Sequence, residues 1–127
     1  MSMSTIVNVL LVVLVVWFLY SRFAPAKGLR NLSGERFKTE LDESKGLLVD
    51  VREPHEFQAG HIPGARNVPL SQLNGRLSDL PKDKELFLYC RSGMRSKSAA
   101  RVLQKNGYGK LAHLQGGIGA WPGKLAK

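Results

Sequence analysis

Cysteine is almost absent from this chain, which has one, Cys90, among 127 residues. An intrachain disulfide is therefore impossible, and a single thiol cannot build a cysteine metal site alone. Free cysteine without disulfides suits a reducing compartment. The sequence also lacks internal repeats and low-complexity tracts. We therefore expect one ordinary domain plus a short appendage.

Charged side chains are missing from residues 1–21, whose apolar run ends in Trp17, Phe18 and Tyr20. At about 1.5 Å per residue, a helix of this length measures roughly 31 Å, close to the hydrocarbon thickness of a bilayer. We predict an uncleaved transmembrane anchor over residues 1–21. The alternatives are a buried helix and a cleaved signal peptide, since Ala24-Pro25-Ala26 resembles a cleavage site. No Lys or Arg precedes the apolar run, which disfavours the signal peptide.

Basic residues follow the predicted span, beginning with Arg22 and Lys27, and none precedes it. By the positive-inside rule, we predict a single-pass protein of the cell inner membrane whose domain faces the cytoplasm. The formal net charge of +9 lies entirely beyond residue 21. Because no helix combines a basic face with aromatic residues, nucleic acid is not expected as a partner. A basic surface near anionic lipid headgroups is the expected reason for the charge.

Breakers and apolar runs divide the rest of the chain into a basic linker at 22–32 and a domain at 33–127. We predict strands at 47–51, 85–89 and 111–114, with a brief one within 61–69. Helices are predicted after a Ser33 cap and at 54–59, 70–80 and 96–106. Alternating strands and helices indicate an α/β fold, a mostly parallel sheet with helices on both faces. Asp50 and Cys90 both end strands, so we expect them on the same rim.

The sharpest functional signal is the turn from Cys90 to Arg95, between a predicted strand and a predicted helix. The N-terminus of that helix directs backbone N–H groups and a positive dipole at the sulfur, which favours a nucleophile. Ser92 and Gly93 are small enough for the backbone to curl, and Arg91 and Arg95 add positive charge. Such a cradle suits a persulfide, Cys–S–S⁻, whose charge needs several donors. The alternative is an inert buried cysteine.

Phosphatase or arsenate chemistry is a second alternative, because a Cys-x5-Arg loop holds a tetrahedral oxyanion. Here the arginine comes one residue early, at Arg95, and Tyr89 rather than histidine precedes the cysteine. Both departures favour a smaller ring, sized for one sulfur atom.

These motifs make the chain resemble a single-domain rhodanese, a thiosulfate sulfurtransferase-like protein, here with an N-terminal transmembrane helix. The resemblance is carried by the stretches 48–57, 60–69 (with Gly60-His61-Ile62-Pro63-Gly64-Ala65) and 89–96, and by Gly116-Gly117 with Trp121. It implies a five-stranded, largely parallel sheet and a Cys90 persulfide. No metal or organic cofactor is implied. It also implies substrate binding by the loop residues Arg91, Ser92, Gly93, Met94 and Arg95.

The resemblance further implies that Asp50 and Arg52 support the loop through charge-assisted bonds, with Glu56 as a third member. The expected reaction moves sulfur from a small anionic donor such as thiosulfate to cyanide, a thiol or a protein thiol. The alternative is a membrane-tethered sulfur carrier or interaction module that delivers persulfide to a protein.

The remaining aromatic and imidazole side chains are expected to have structural roles. A ring nitrogen of His61 more often ties down a turn than acts as a base. His55 and His113 have no partner at metal-ligand spacing, so surface or packing roles are expected. Trp121 is expected to fill the core or to wall the pocket.

Overall fold

Five short strands form one parallel sheet, in a computed structural model that describes residues 2–23 and 28–127. In chain order the strands are β1 (Leu29–Leu32), β2 (Leu47–Asp50), β3 (Arg66–Asn67), β4 (Leu86–Tyr89) and β5 (Leu111–Leu114). Their spatial order is β1-β5-β4-β2-β3, and each neighbouring pair runs parallel. The predicted α/β architecture is thus confirmed.

The central strands are apolar throughout because both faces of the sheet are covered. In β4, Leu86 and Leu88 pack into the core on one face, and Phe87 and Tyr89 into the core on the other. All four side chains are fully or almost fully buried. A strand of this kind shows no polar alternation, which is why a short continuous apolar run predicted it.

The described part of the chain also holds four α-helices: α1 (Met3–Phe23), α2 (Gly34–Glu43), α3 (Pro54–Ala59) and α4 (Met94–Lys105). Helix α4 buries Ala99, Ala100 and Leu103 on one face of the sheet, and α2 places Phe37 on the other. The predicted cap of α2 is present, since the backbone N–H of Arg36 donates to Ser33 Oγ at 3.4 Å.

Helix α1 is long and apolar enough to cross a membrane, by length and composition alone. Its side chains are exposed from its start through Ser21. The Ala24-Pro25-Ala26 stretch, on which the signal-peptide alternative rests, lies outside the described residues.

The prediction of a basic linker at 22–32 is wrong at each end of the segment, where the structure shows a helix and a strand. Helix α1 continues to Phe23, and Leu29–Leu32 is the edge strand β1, in register with β5 from Leu29↔Leu111 to Leu32↔Leu114. Two of its four residues are polar and exposed, so the segment gives no strand pattern in the sequence. The interval 24–27 lies outside the described residues.

The single helix predicted at 70–80 is also wrong. The structure has two short 3₁₀-helices there, Leu70–Gly75 and Leu77–Asp79. Between them Arg76 leaves the helical region, with φ −124° and ψ 20°, and its guanidinium bonds to the Asn67 carbonyl and to Asp79. Gly75 adds to the break because glycine weakens a helix. The leucine stripe is nevertheless packed against the core.

Strand register places the candidate site. Asp50 of β2 is the register partner of Tyr89 of β4, and Val51 N–H donates to the Tyr89 carbonyl at 3.1 Å. Cys90 is the next residue along the chain. The predicted common rim of Asp50 and Cys90 is therefore confirmed.

Candidate active site

Cys90 lies at the turn where β4 gives way to α4, and its side chain is completely buried. The backbone N–H of Gly93 donates to Cys90 Sγ at 2.9 Å. Gly93 itself has φ +102°, a left-handed conformation that glycine adopts without strain. The loop therefore curls back on the sulfur as the small residues predicted. Helix α4 begins at Met94, two residues earlier than expected, so the turn is tight.

The loop that contains Gly117 and Ile118 packs against the Cys90 turn. The backbone N–H of Ile118 donates to the Cys90 carbonyl at 2.8 Å. A Cβ atom on Gly117 would lie 2.0 Å from the Arg91 carbonyl oxygen, and the residue has φ +75°. Only glycine permits this approach, which gives the Gly116-Gly117 pair a packing role at the site.

Arg95 is tied to α3 by a bidentate ion pair with Glu56. Its two terminal nitrogens donate to the carboxylate oxygens at 2.6 and 2.9 Å. The Glu53 backbone N–H adds a third bond to the same carboxylate at 3.2 Å. Hydrogen bonding to Arg95, despite partial burial, lowers the pKa of Glu56 to about 2. Glu56 therefore contacts the Cys90 loop through Arg95, and the resemblance had implied a supporting role for Glu56 at this loop.

Asp50 and Arg52 form a separate, buried pair. Arg52 Nη2 donates to Asp50 Oδ2 at 2.7 Å and to the Gly60 carbonyl at 2.6 Å. These bonds hold the turn after α3. The Arg52 guanidinium carbon also lies 5.7 Å from the centroid of the Tyr89 ring. The pair therefore acts on the turn and also lies against the residue that precedes Cys90.

The turn after α3 is also held by His61 and by the end of β4. His61 Nδ1 lies 2.9 Å from the Phe57 carbonyl, and the two rings stack at 3.8 Å between centroids. The Ile62 N–H donates to the buried Tyr89 hydroxyl at 3.0 Å, and burial raises the pKa of Tyr89. His61 therefore ties down a turn, as predicted.

Two buried polar side chains that sequence reasoning did not place in the site lie behind the sulfur. Cys90 Sγ is 3.7 Å from Ser96 Oγ, and Ser96 Oγ is 2.9 Å from His113 Nδ1. His113 Nε2 contacts Asn31 Oδ1 of β1. Burial, with a smaller effect of Lys97, lowers the pKa of His113 to about 4, so the imidazole is neutral. The expected surface or packing role of His113 is incomplete, since its ring joins a polar chain to the sulfur.

The remaining predicted binding residues stand at the rim. Arg91 and Ser92 are exposed, and Met94 is 77% exposed. Beside them lies a cavity of about 260 Å³ lined by Asn31, Ser92, Gly93, Met94, Lys97, His113, Gln115 and Gly116.

Trp121 packs edge-on against Phe37, in the core opposite α4. Within residues 2–23 and 28–127, no three His, Cys, Asp or Glu side chains converge as metal ligands would.

This arrangement suits a negatively charged persulfide on the cysteine. A backbone N–H already contacts the sulfur, and Arg95, which Glu56 holds in place, lies at the end of the same loop. Preorganised donors of this kind stabilise charge that develops on a bound atom.

The sequence profile described as "Rhodanese-like domain" matches residues 33–124. The chain belongs to this family. Its relatives include proteins named as sulfurtransferases and as sulfur carriers.

Two similar sequences and one similar crystal structure illustrate the relationship. The uncharacterised protein YqhL of Bacillus subtilis is 39% identical over 122 residues, 96% of this chain and 95% of that protein. A protein named sulfurtransferase from Allochromatium vinosum is 45% identical over 80 residues, 63% of this chain and 75% of that one. The crystal structure of a rhodanese-like domain protein from Staphylococcus aureus superposes with a TM-score of 0.69 at 30% identity, covering 76% of this chain and 96% of that one.

Proposed function

We propose that the protein is a sulfurtransferase that carries sulfane sulfur on Cys90. The observation that carries this proposal is the contact between the Gly93 N–H and Cys90 Sγ inside a loop that Arg95 and Glu56 clamp. A persulfide at this position keeps a hydrogen-bond donor and lies beside a permanent positive charge.

The first step takes the outer sulfur from an anionic donor such as thiosulfate. After the thiol proton has left to solvent, the Cys90 thiolate attacks that sulfur and forms a new S–S bond. The S–S bond of the donor breaks, and its electron pair leaves with sulfite. Exposed Arg91 attracts the donor to the rim, whereas Arg95 is held by Glu56 and contributes its charge from a fixed position.

The second step returns Cys90 to the thiolate. A thiophilic acceptor, which is cyanide, a small thiol or a protein thiol, attacks the terminal sulfur of the persulfide. The bond between the two sulfurs breaks, and the electron pair stays on Cys90. Neither step as written requires a metal or organic cofactor.

Steady-state sulfur transfer from thiosulfate to cyanide tests the enzyme directly. The full chain in detergent micelles should produce thiocyanate, and Cys90→Ser should abolish it because the nucleophile is gone. Glu43→Gln, an exposed change on α2, serves as the matched control. If the wild type forms a persulfide but does not turn over with cyanide or small thiols, the carrier alternative replaces the enzyme. If no sulfur is transferred at all, both are wrong.

The same proposal includes an N-terminal anchor that keeps the domain at the cytoplasmic face of the inner membrane. Its support is the length and composition of α1, together with the basic residues that follow it. The full chain should sediment with membranes and resist alkaline extraction, and a C-terminal tag should be digested only in inside-out vesicles. Release into the soluble fraction would contradict the anchor, and digestion in right-side-out spheroplasts would contradict the orientation.

A further inference from the structure

The polar chain behind the sulfur is not used by either step of sulfur transfer. It runs from Cys90 through Ser96 and His113 to Asn31 and joins three elements, α4, β5 and β1. Ser96 and His113 are buried as deeply as the hydrophobic core around them. Polar groups are costly in such a place unless they are hydrogen-bonded, and here each one is.

The sulfur of Cys90 must change its hydrogen-bonding character during the reaction. As a thiol it donates one hydrogen, and Ser96 Oγ lies 3.7 Å from the sulfur, within reach of that hydrogen bond. As a thiolate or a persulfide it only accepts. A buried partner that served only one of these states would lose its bond in the other, at the cost of an unsatisfied group.

The Ser96 hydroxyl can serve both states, provided that its own oxygen and hydrogen find other partners. When the sulfur is a thiol, the hydroxyl can donate to the Gly93 carbonyl oxygen, 3.0 Å from Ser96 Oγ, or to His113 Nδ1, 2.9 Å from Ser96 Oγ. When the sulfur is charged, that hydrogen turns to the sulfur, and the Ser96 oxygen needs a donor. The Nδ1–H tautomer of His113 supplies one.

We propose that His113 is a positioning residue for sulfur transfer, which acts through the Ser96 hydroxyl to keep the Cys90 sulfur hydrogen-bonded as both thiol and thiolate. This inference rests on the sulfur transfer proposed above. A neutral imidazole is suited to the role because each ring nitrogen either donates or accepts, depending on the tautomer. In the structure Asn31 Oδ1 faces Nε2 and accepts from it, so the Nδ1–H tautomer of His113 requires the Asn31 amide to turn its Nδ2 toward Nε2.

The charged groups around the polar side chains from Cys90 to Asn31 are held in ion pairs or lie at the surface. Toward Cys90, α4 contributes Arg95, which α3 pairs with Glu56. Toward His113, α4 contributes the exposed Lys97. The end of β2 contributes the paired Asp50 and Arg52, and β1 contributes the exposed Arg30, which is paired with Glu40 and Glu85.

Alkylation of Cys90 by iodoacetamide, followed against pH, tests the inference without requiring any sulfur donor. Cys90 is the only cysteine, so the rate reports this sulfur alone. The full chain in detergent is compared with Ser96→Ala, His113→Phe and His113→Asn. The control is Val102→Ala, which removes partly buried packing from the same helix without touching the polar chain.

Ser96→Ala and His113→Phe should slow alkylation at neutral pH about tenfold and move the curve of rate against pH up by about one pH unit. A displacement of one pH unit corresponds to a tenfold smaller fraction of thiolate. His113→Asn should stay within about threefold of the wild type, because an amide also donates or accepts toward Ser96. Val102→Ala should keep the wild-type profile, even if its unfolding temperature falls.

A wild-type profile in folded His113→Phe would overturn the inference, as would an Asn variant as impaired as the Phe variant. If His113→Phe does not fold, a wild-type profile in Ser96→Ala overturns it by itself. The outcome is separate from that of the proposed function. A displaced alkylation profile in a protein that never gains sulfur would contradict sulfur transfer and leave the hydrogen-bond role of His113 intact.

Discussion

Two arginine–carboxylate pairs stand on the same rim of the sheet, and they differ in burial and in what they join. Arg52 and Asp50 are two residues apart, with side chains 7% and 0% exposed, and they hold the Gly60 turn. Arg95 and Glu56 are 39 residues apart, with side chains 34% and 18% exposed, and they join the Cys90 loop to α3. The first pair is therefore expected to govern folding, and the second the reactivity of the loop.

The physical reason lies in what remains when one partner is removed. A carboxylate left alone in the interior keeps a full desolvation penalty, whereas one at the surface is rehydrated. Substitutions in the two pairs should therefore separate loss of stability from loss of activity.

Arg52→Ala should have the largest effect, because it leaves the fully buried Asp50 carboxylate without its cation. We expect a loss of about 3–5 kcal/mol in the free energy of unfolding. Urea unfolding of the full chain measures this. The control is Arg36→Ala, which breaks an exposed pair on α2 and should cost less than about 1 kcal/mol. Equal losses in the two variants would show that burial of the first pair does not matter.

Glu56→Gln should reverse the pattern. The variant keeps the shape of the side chain but removes the charge that fixes Arg95. Because this pair is partly exposed and screened, we expect a smaller loss in the free energy of unfolding than for Arg52→Ala. Sulfur transfer from thiosulfate should fall about tenfold, which corresponds to about 1.4 kcal/mol in the barrier. Steady-state kinetics and urea unfolding of the same preparations check both statements. Unchanged transfer would remove the loop-supporting role of Glu56.

The smallest expected effect is a pH dependence of that same pair. The pKa of Glu56 is lowered to about 2 in the folded protein, so its contribution to stability is complete above its ordinary value near 4.5. That contribution is lost as the pH falls from about 4.5 toward 2. The difference in unfolding free energy between the wild type and Glu56→Gln should therefore vanish across this interval. A difference that stays constant below pH 4 would contradict the ion pair.

Sequence reasoning reached the Cys90 loop because its signals are local. An apolar run, a cysteine, two small residues and a helix follow one another, and the fold needs no distant contact to place the Gly93 N–H on the sulfur. The contact of Gly117 with Arg91 is different, because in the sequence the Gly116-Gly117 pair only contributes to the rhodanese resemblance and does not predict what it touches.

The polar chain behind the sulfur could not be reached in this way. His113 and Asn31 are 82 residues apart and meet only because β1 lies beside β5. Because two of the four residues of β1 are polar, its sequence is typical of a linker and does not indicate a strand that could bring a partner to His113. A histidine inside an otherwise apolar strand was the one available signal, since a buried imidazole requires hydrogen-bond partners.

The central claim is that Cys90 carries the transferred sulfur, and the intact mass of the full chain after treatment with thiosulfate tests it most directly. A gain of one sulfur atom, about 32 Da, is expected in the wild type, with none in Cys90→Ser and full reversal by cyanide. A wild-type mass that stays unchanged with thiosulfate and other sulfane donors, or a gain that survives in Cys90→Ser, would contradict it.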